Sequence, residues 1–271
     1  MTSEISSLFQ HGWKNLWKNR ILWLFSSLIL IYPLLHLIFP TQKSDNLALS
    51  LLNLALSLAA IYFTFTSLVG VSFVAYCIAI GNPVDWDTAF LESQYMLGRI
   101  VILSFVVLCM LIIPFGCILI FFFWQFLNIK NITHAIFLAA TPLSIFSAVL
   151  YFAITEAIKN NATIRKSLRA AWTVFTQHFI SLAIVGILLI IGYQMINIAV
   201  SMAVQLVENN FDVSVLGKLD FLTPVLSFPN NNLYNLIITI PRAIWQTYSA
   251  SVFTFAYLKY SGAKMSKRRT P

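Results

Sequence analysis

From Leu47 to Ile80 the chain runs for 34 residues without one charged side chain. Such a segment has no stable place in water. About 20 apolar residues already span roughly 30 Å of hydrocarbon, and as a helix this run would extend about 51 Å. It is expected to cross a bilayer, and to tilt, kink near Gly70 or project beyond the lipid. Five further apolar runs follow the same logic: Ile21–Phe39, Ile100–Leu127, Ala135–Ile158, Ile180–Leu206 and Leu233–Tyr257. The chain is 59% hydrophobic and 10% charged, with a mean hydropathy of +0.82, outside the range of soluble domains. The fold expected is all-α: a single integral membrane domain over residues 1–271 with six transmembrane helices.

Charge sets the orientation. If the N-terminus is cytoplasmic, 13 of the 17 Lys and Arg residues fall on the cytoplasmic side, whereas Lys43, Lys130 and Lys218 fall outside and Arg242 lies within a span. That bias is a positive-inside signal. It predicts a multi-pass protein of the cell inner (plasma) membrane with both termini cytoplasmic and a basic tail at 263–271. The net charge of +8 then reports topology and attraction to anionic lipid, not nucleic-acid binding. The first apolar run lacks an A-x-A exit and reads as a retained signal anchor. Cys77, Cys109 and Cys117 all sit in apolar runs without C-x-x-C spacing, so they read as buried apolar residues.

Three amphipathic stretches precede three of the spans. Ile164, Leu168, Trp172, Phe175 and Phe179 share one helical face, as do Trp86, Phe90, Gln94, Leu97 and Val101, and again Ile5, Phe9, Trp13, Leu16 and Arg20. Each is expected to lie on the cytoplasmic membrane surface, apolar side down. Lys14, Lys18, Arg20, Arg165, Lys166 and Arg169 are the candidate contacts to anionic lipid. The middle stretch instead carries Asp87 and Glu92. Asp85 and Thr163 are placed to cap the second and third of these helices, and Glu156 is placed to form a local ion pair with the basic helix after it. The spacing from Ile5 to Trp86 is 81 residues and from Trp86 to Ile164 is 78. Ala75-Tyr76 with Gly81 recurs as Ala256-Tyr257 with Gly262. These repeats predict three parallel units, about 3–81, 82–159 and 160–262, around an axis along the membrane normal.

The stretches AIGNPVDWDTAFLESQYMLGRIVIL and AIKNNATIRKSLRAAWTVFTQHFISLAIV, and the terminal AYLKYSG, resemble bacterial six-span proteins related to the glycerophosphoryl diester phosphodiesterase membrane domain. The resemblance covers most of the chain. It implies a membrane domain without the catalytic domain that some members carry, because spans and short loops occupy the whole sequence.

Arg242 is the sharpest signal inside a span, since a mid-bilayer guanidinium costs at least about 2.5–3.5 kcal/mol unless it faces protein or water. Asn235, Thr239, Arg242, Gln246 and Ser249 form one polar stripe at helical spacing, and Gln194, Asn197, Ser201 and Gln205 form another on the preceding span. At matching depth, Arg242 is expected to bond Asn197 or Gln194. The pair reads either as interhelical glue or as a polar site for an anionic headgroup or solute.

No H-E-x-x-H, P-loop or G-x-S-x-G motif occurs. Asp85, Asp87 and Glu92 have no nucleophile or His beside them. His36 and His134 are weak grounds for a metal, and Asn131-Ile132-Thr133 fits a glycosylation site only formally. No catalytic residue, cofactor or metal is expected. The leading expectation is a non-enzymatic, lipid-interacting or scaffolding membrane protein whose partners are membrane lipids and possibly other membrane proteins. The alternative is a transporter or permease component with its polar site around Arg242.

Overall fold

The structure, a computed structural model, describes residues 2–38, 47–126, 147–208 and 232–262. Every regular element among them is helical. In chain order these are α1 (Thr2–Lys18), α2 (Arg20–Ser27), a 3-10 turn (Leu28–Leu30), α3 (Ile31–Ile38), α4 (Leu47–Ile80), α5 (Trp86–Phe126), α6 (147–160), α7 (Ile164–Gln177), α8 (Phe179–Glu208) and α9 (Asn232–Tyr260).

Three of them, over Ser50–Ile80, Trp86–Met110 and Phe179–Val200, are long and apolar enough to cross a membrane, and α1 with α2–α3 makes a fourth if that bent pair is one span. The fourth expected span lies partly outside the described residues. The sixth, α9, is continuous but less apolar, because it carries Pro241, Arg242, Gln246 and a series of hydroxyl side chains.

That polarity is inward-facing. Residues 250–258 of α9 are all buried, and the helix packs against α1, α2, α3, α4, α7 and α8. It also meets α6: the rings of Tyr151 and Phe253 stack at 5.5 Å, and Phe152 and Tyr257 lie 5.2 Å apart. Hydroxyls buried among these helices bond back to their own backbone, as Thr155 does to the Tyr151 carbonyl at 2.7 Å and Ser251 to that of Thr247 at 3.0 Å. Small hydroxyl residues of this kind let helices approach closely where water and large polar groups are excluded.

The chain turns by 84° between α1 and α2. Asn19 makes the elbow: its side-chain oxygen accepts the Ile21 amide at 3.0 Å, capping α2. The buried face of α1 is Ile5, Leu8, Gly12 and Leu16, one step round from the expected stripe. Trp13 and Trp17 instead point outward, 52% and 58% exposed, in a row of rings with Trp23. On α7, similarly, Ser167, Ala171, Val174 and Phe175 are buried, whereas Trp172 and Phe179 are exposed.

Several local expectations are corrected. The middle amphipathic stretch is not a separate surface helix. Nothing caps or breaks the chain between Trp86 and Val101, and α5 runs on through Pro114 as one helix of 41 residues. Gly70 does not break α4; it admits the ring of Phe25. Thr163 stands at the start of α7 but its hydroxyl makes no capping bond. Asp85 does cap α5, accepting the Thr88 amide at 3.0 Å, and the Thr88 hydroxyl and amide hold its carboxyl below the usual range. Glu156 is not paired with the basic helix: its two oxygens accept from the Tyr257 hydroxyl at 2.7 Å and the Asn160 amide at 2.6 Å.

Left-handed residues terminate α4, α6 and α9: Gly81 (φ 82°), Asn161 (φ 47°) and Gly262 (φ 69°). At Gly81 the Asn82 amide reaches back to Cys77 at 2.9 Å and that of Gly81 to Ile78 at 3.1 Å, which satisfies carbonyls the helix end would leave open. Residues 131–134, 209–231 and 263–271, with the expected glycosylation site, His134, most of the outer segment and the basic tail, lie outside the described residues.

Candidate functional site

Asn197 on α8 and Arg242 on α9 face one another. The Arg242 Nε donates to Asn197 Oδ1 at 2.9 Å, with Asn197 only 5% exposed. This is the contact that the two polar stripes require when each lies at the same depth from the intervening loop. Nearby, Trp245 Nε1 donates to the Leu189 carbonyl at 3.0 Å. Its ring rests on Gly192, where a Cβ would fall 2.4 Å away. The α8–α9 contact is therefore pinned on both sides of Arg242.

Pinning fixes the guanidinium without using it up. Its terminal nitrogens make no hydrogen bond or ion pair with a described residue. Arg242 borders a cleft of about 470 Å³, within the range of small-molecule sites. Thr239, Arg242, Gln246 and Ser249, the described members of the α9 stripe, all line it. Tyr193 from α8 and Tyr151 from α6 add hydroxyls, and Ile29, Leu189, Ile190 and Phe253 supply apolar wall. No carboxylate is among the described lining residues. The cleft thus offers one fixed cation, neutral hydrogen-bonding groups and an apolar remainder.

Gln194 does not bond Arg242; its buried Oε1 has no partner among the described residues. The side chains of Asn235 and Ser201 lie outside what the structure describes. The sequence pattern missed Tyr193 and Trp245, which stand beside the polar stripes of α8 and α9 rather than in them, and Tyr151, because no stripe of amide side chains marks α6.

The second candidate set is not gathered into a site. Lys14, Lys18 and Arg20 are exposed at the α1–α2 elbow, and Arg165, Lys166 and Arg169 are exposed on α7. Each group sits beside exposed aromatics, Trp13 and Trp17 on α1 and Trp172 on α7. Arg99 is engaged elsewhere: it donates to Asn161 Oδ1 at 2.6 Å and to the Ala162 carbonyl at 3.3 Å, tying α5 to the α6–α7 link. Among the described residues no group of three His, Cys, Asp or Glu side chains is placed to hold a metal.

Comparison with protein-family models, with curated proteins and with solved structures finds no match to this chain.

Proposed function

We propose that this chain is a non-enzymatic, six-span inner-membrane protein that binds an anionic membrane lipid in the cleft beside Arg242. One observation carries the reading: a guanidinium held by Asn197, with no other bond to a described residue, lines a cleft of lipid-compatible chemistry whose described lining residues include no acid. Pure interhelical glue would surround the donors of that guanidinium with amides or acids, and among the described residues Asn197 alone bonds it.

The surface features fit the same role. In this reading α1 and α7 lie on the cytoplasmic leaflet, their exposed tryptophans at headgroup level and their basic residues toward anionic lipid. The left-handed helix ends at Gly81, Asn161 and Gly262 stand near the ends expected for three repeated units, and the charge bias favours both termini on the cytoplasmic side. The resemblance to six-span membrane domains related to glycerophosphoryl diester phosphodiesterases points to the same architecture.

Transport of a lipid or anionic solute is the second reading, favoured by the same open guanidinium. Against it, α8 and α9 run unbroken past the cleft, α9 even through Pro241, whereas transport sites often use discontinuous helices.

Native mass spectrometry of protein purified from membranes in gentle detergent tests the binding reading. Wild type is expected to retain an anionic lipid that Arg242→Leu releases. Identical spectra from two equally folded proteins would remove Arg242 as a ligand site.

A further inference from the structure

From the charge and shape of the cleft we infer the class of headgroup it selects: a phosphodiester lipid whose second substituent is uncharged and bears hydroxyls. The inference rests on the lipid-binding reading above and narrows it.

Charge comes first. Arg242 brings one positive charge, and none of the described lining residues brings a negative one. A phosphodiester carries one negative charge, so its phosphate oxygens on the terminal guanidinium nitrogens leave the site neutral. A phosphate monoester would bring further negative charge without a second cation. An amine-bearing headgroup would place an ammonium near a guanidinium with no carboxylate to receive it, and an unpaired charge away from water is costly. Ring faces do not replace the missing acid. The Tyr151 ring stacks on Phe253 and the Trp245 ring is seated over Gly192, so one face of each is already covered by protein.

The neutral groups decide the rest. Gln246, Ser249 and Tyr193 line the cleft and form no hydrogen bond with a described residue. Together they supply amide and hydroxyl donors and acceptors, which suit the hydroxyls of a glycerol or sugar substituent. Leaving them unmatched against a headgroup without hydroxyls costs affinity, as unpaired polar groups in a site do.

The apolar wall suits a lipid. Apolar side chains of the 3-10 turn and of α8, Ile29 and Ile190, line the cleft beside its polar groups, as an acyl chain next to a headgroup would need. An acyl chain lies along them while the head reaches Arg242.

The test is competition on the purified full-length protein. Phosphatidylglycerol, phosphatidylethanolamine and phosphatidic acid with identical acyl chains are added in equal amounts, and retained lipid is read by native mass spectrometry. Wild type should retain phosphatidylglycerol by about tenfold over each of the others, on the scale of one charge-assisted hydrogen bond. Arg242→Leu should abolish that retention, and Gln246→Leu should lower the preference while leaving binding in place. Equal retention of all three lipids, lost in Arg242→Leu, would overturn the headgroup selection and leave the lipid site standing. Retention indifferent to Arg242 in a variant with wild-type thermal midpoint would overturn both. Should Arg242→Leu not fold, an unchanged preference in both Arg242→Lys and Gln246→Leu overturns the selection.

Discussion

The ring of Phe25 fills the space that a side chain on Gly70 would need: a Cβ built there falls 2.0 Å from the ring. Phe25 is fully buried and also packs on Trp86, 4.7 Å between centroids. One aromatic side chain thereby joins α2, α4 and the start of α5. Gly70→Ala is expected to destabilise the protein by about 1–3 kcal/mol through overpacking, read as a lower thermal midpoint in detergent. Phe25→Leu in the same chain should recover part of the loss. A Gly70→Ala protein that unfolds like wild type would show that α2 and α4 do not approach this closely.

Glu156 and Tyr257 form the corresponding polar lock between α6 and α9. The Tyr257 hydroxyl is buried and donates to the carboxylate. Removing the acceptor leaves it unpaired, which costs about 1–3 kcal/mol. Glu156→Ala should therefore be clearly destabilising, and Glu156→Gln, which keeps an acceptor oxygen, much less so. Tyr257→Phe should relieve most of the penalty in the Glu156→Ala background. Equal losses for the Ala and Gln variants would argue against the bond.

Acid sensitivity should be traceable in part to Asp85. Its carboxyl is held down by the Thr88 hydroxyl and amide, so its folded pKa lies below the unfolded value of about 3.9. The cap contributes fully above that value and is lost as pH falls through the lower folded one. Asp85→Asn retains a capping oxygen that does not titrate. The gap in thermal midpoint between wild type and Asp85→Asn should therefore be constant near neutrality and shift against wild type below about pH 4. A gap that stays constant through the acid range would show that the Asp85–Thr88 cap is absent.

The contacts legible in the sequence are those that a strong energetic demand makes unique. An arginine within an apolar run must find a partner at its own depth, and Asn197 is a polar residue of the adjacent span at that depth. The Asp85 cap is local and follows from residue type. The faces of α1 and α7 are less legible, because in a membrane setting an apolar residue is stable both inside the bundle and against lipid. Periodicity therefore marks Trp13 and Trp172 as readily as Leu8 and Val174, and only packing separates them. The elbow falls where the amphipathic stretch ending at Arg20 gives way to the apolar run from Ile21, and only the capping role of Asn19 is left unmarked. The partner of Glu156 lies 101 residues away, and nothing in the local pattern names Tyr257.

The position of α9 has a consequence for biogenesis. It is the least apolar of the long helices, yet every element it packs against precedes it in the chain. The ribosome delivers Asn197, Glu156 and the Phe9 carbonyl, which accepts the Tyr248 hydroxyl at 3.3 Å, before it delivers the groups that bond them. The earlier helices alone would leave the seat of α9 unfilled. The arginine and hydroxyls of α9 would therefore meet a protein surface already made, and not lipid.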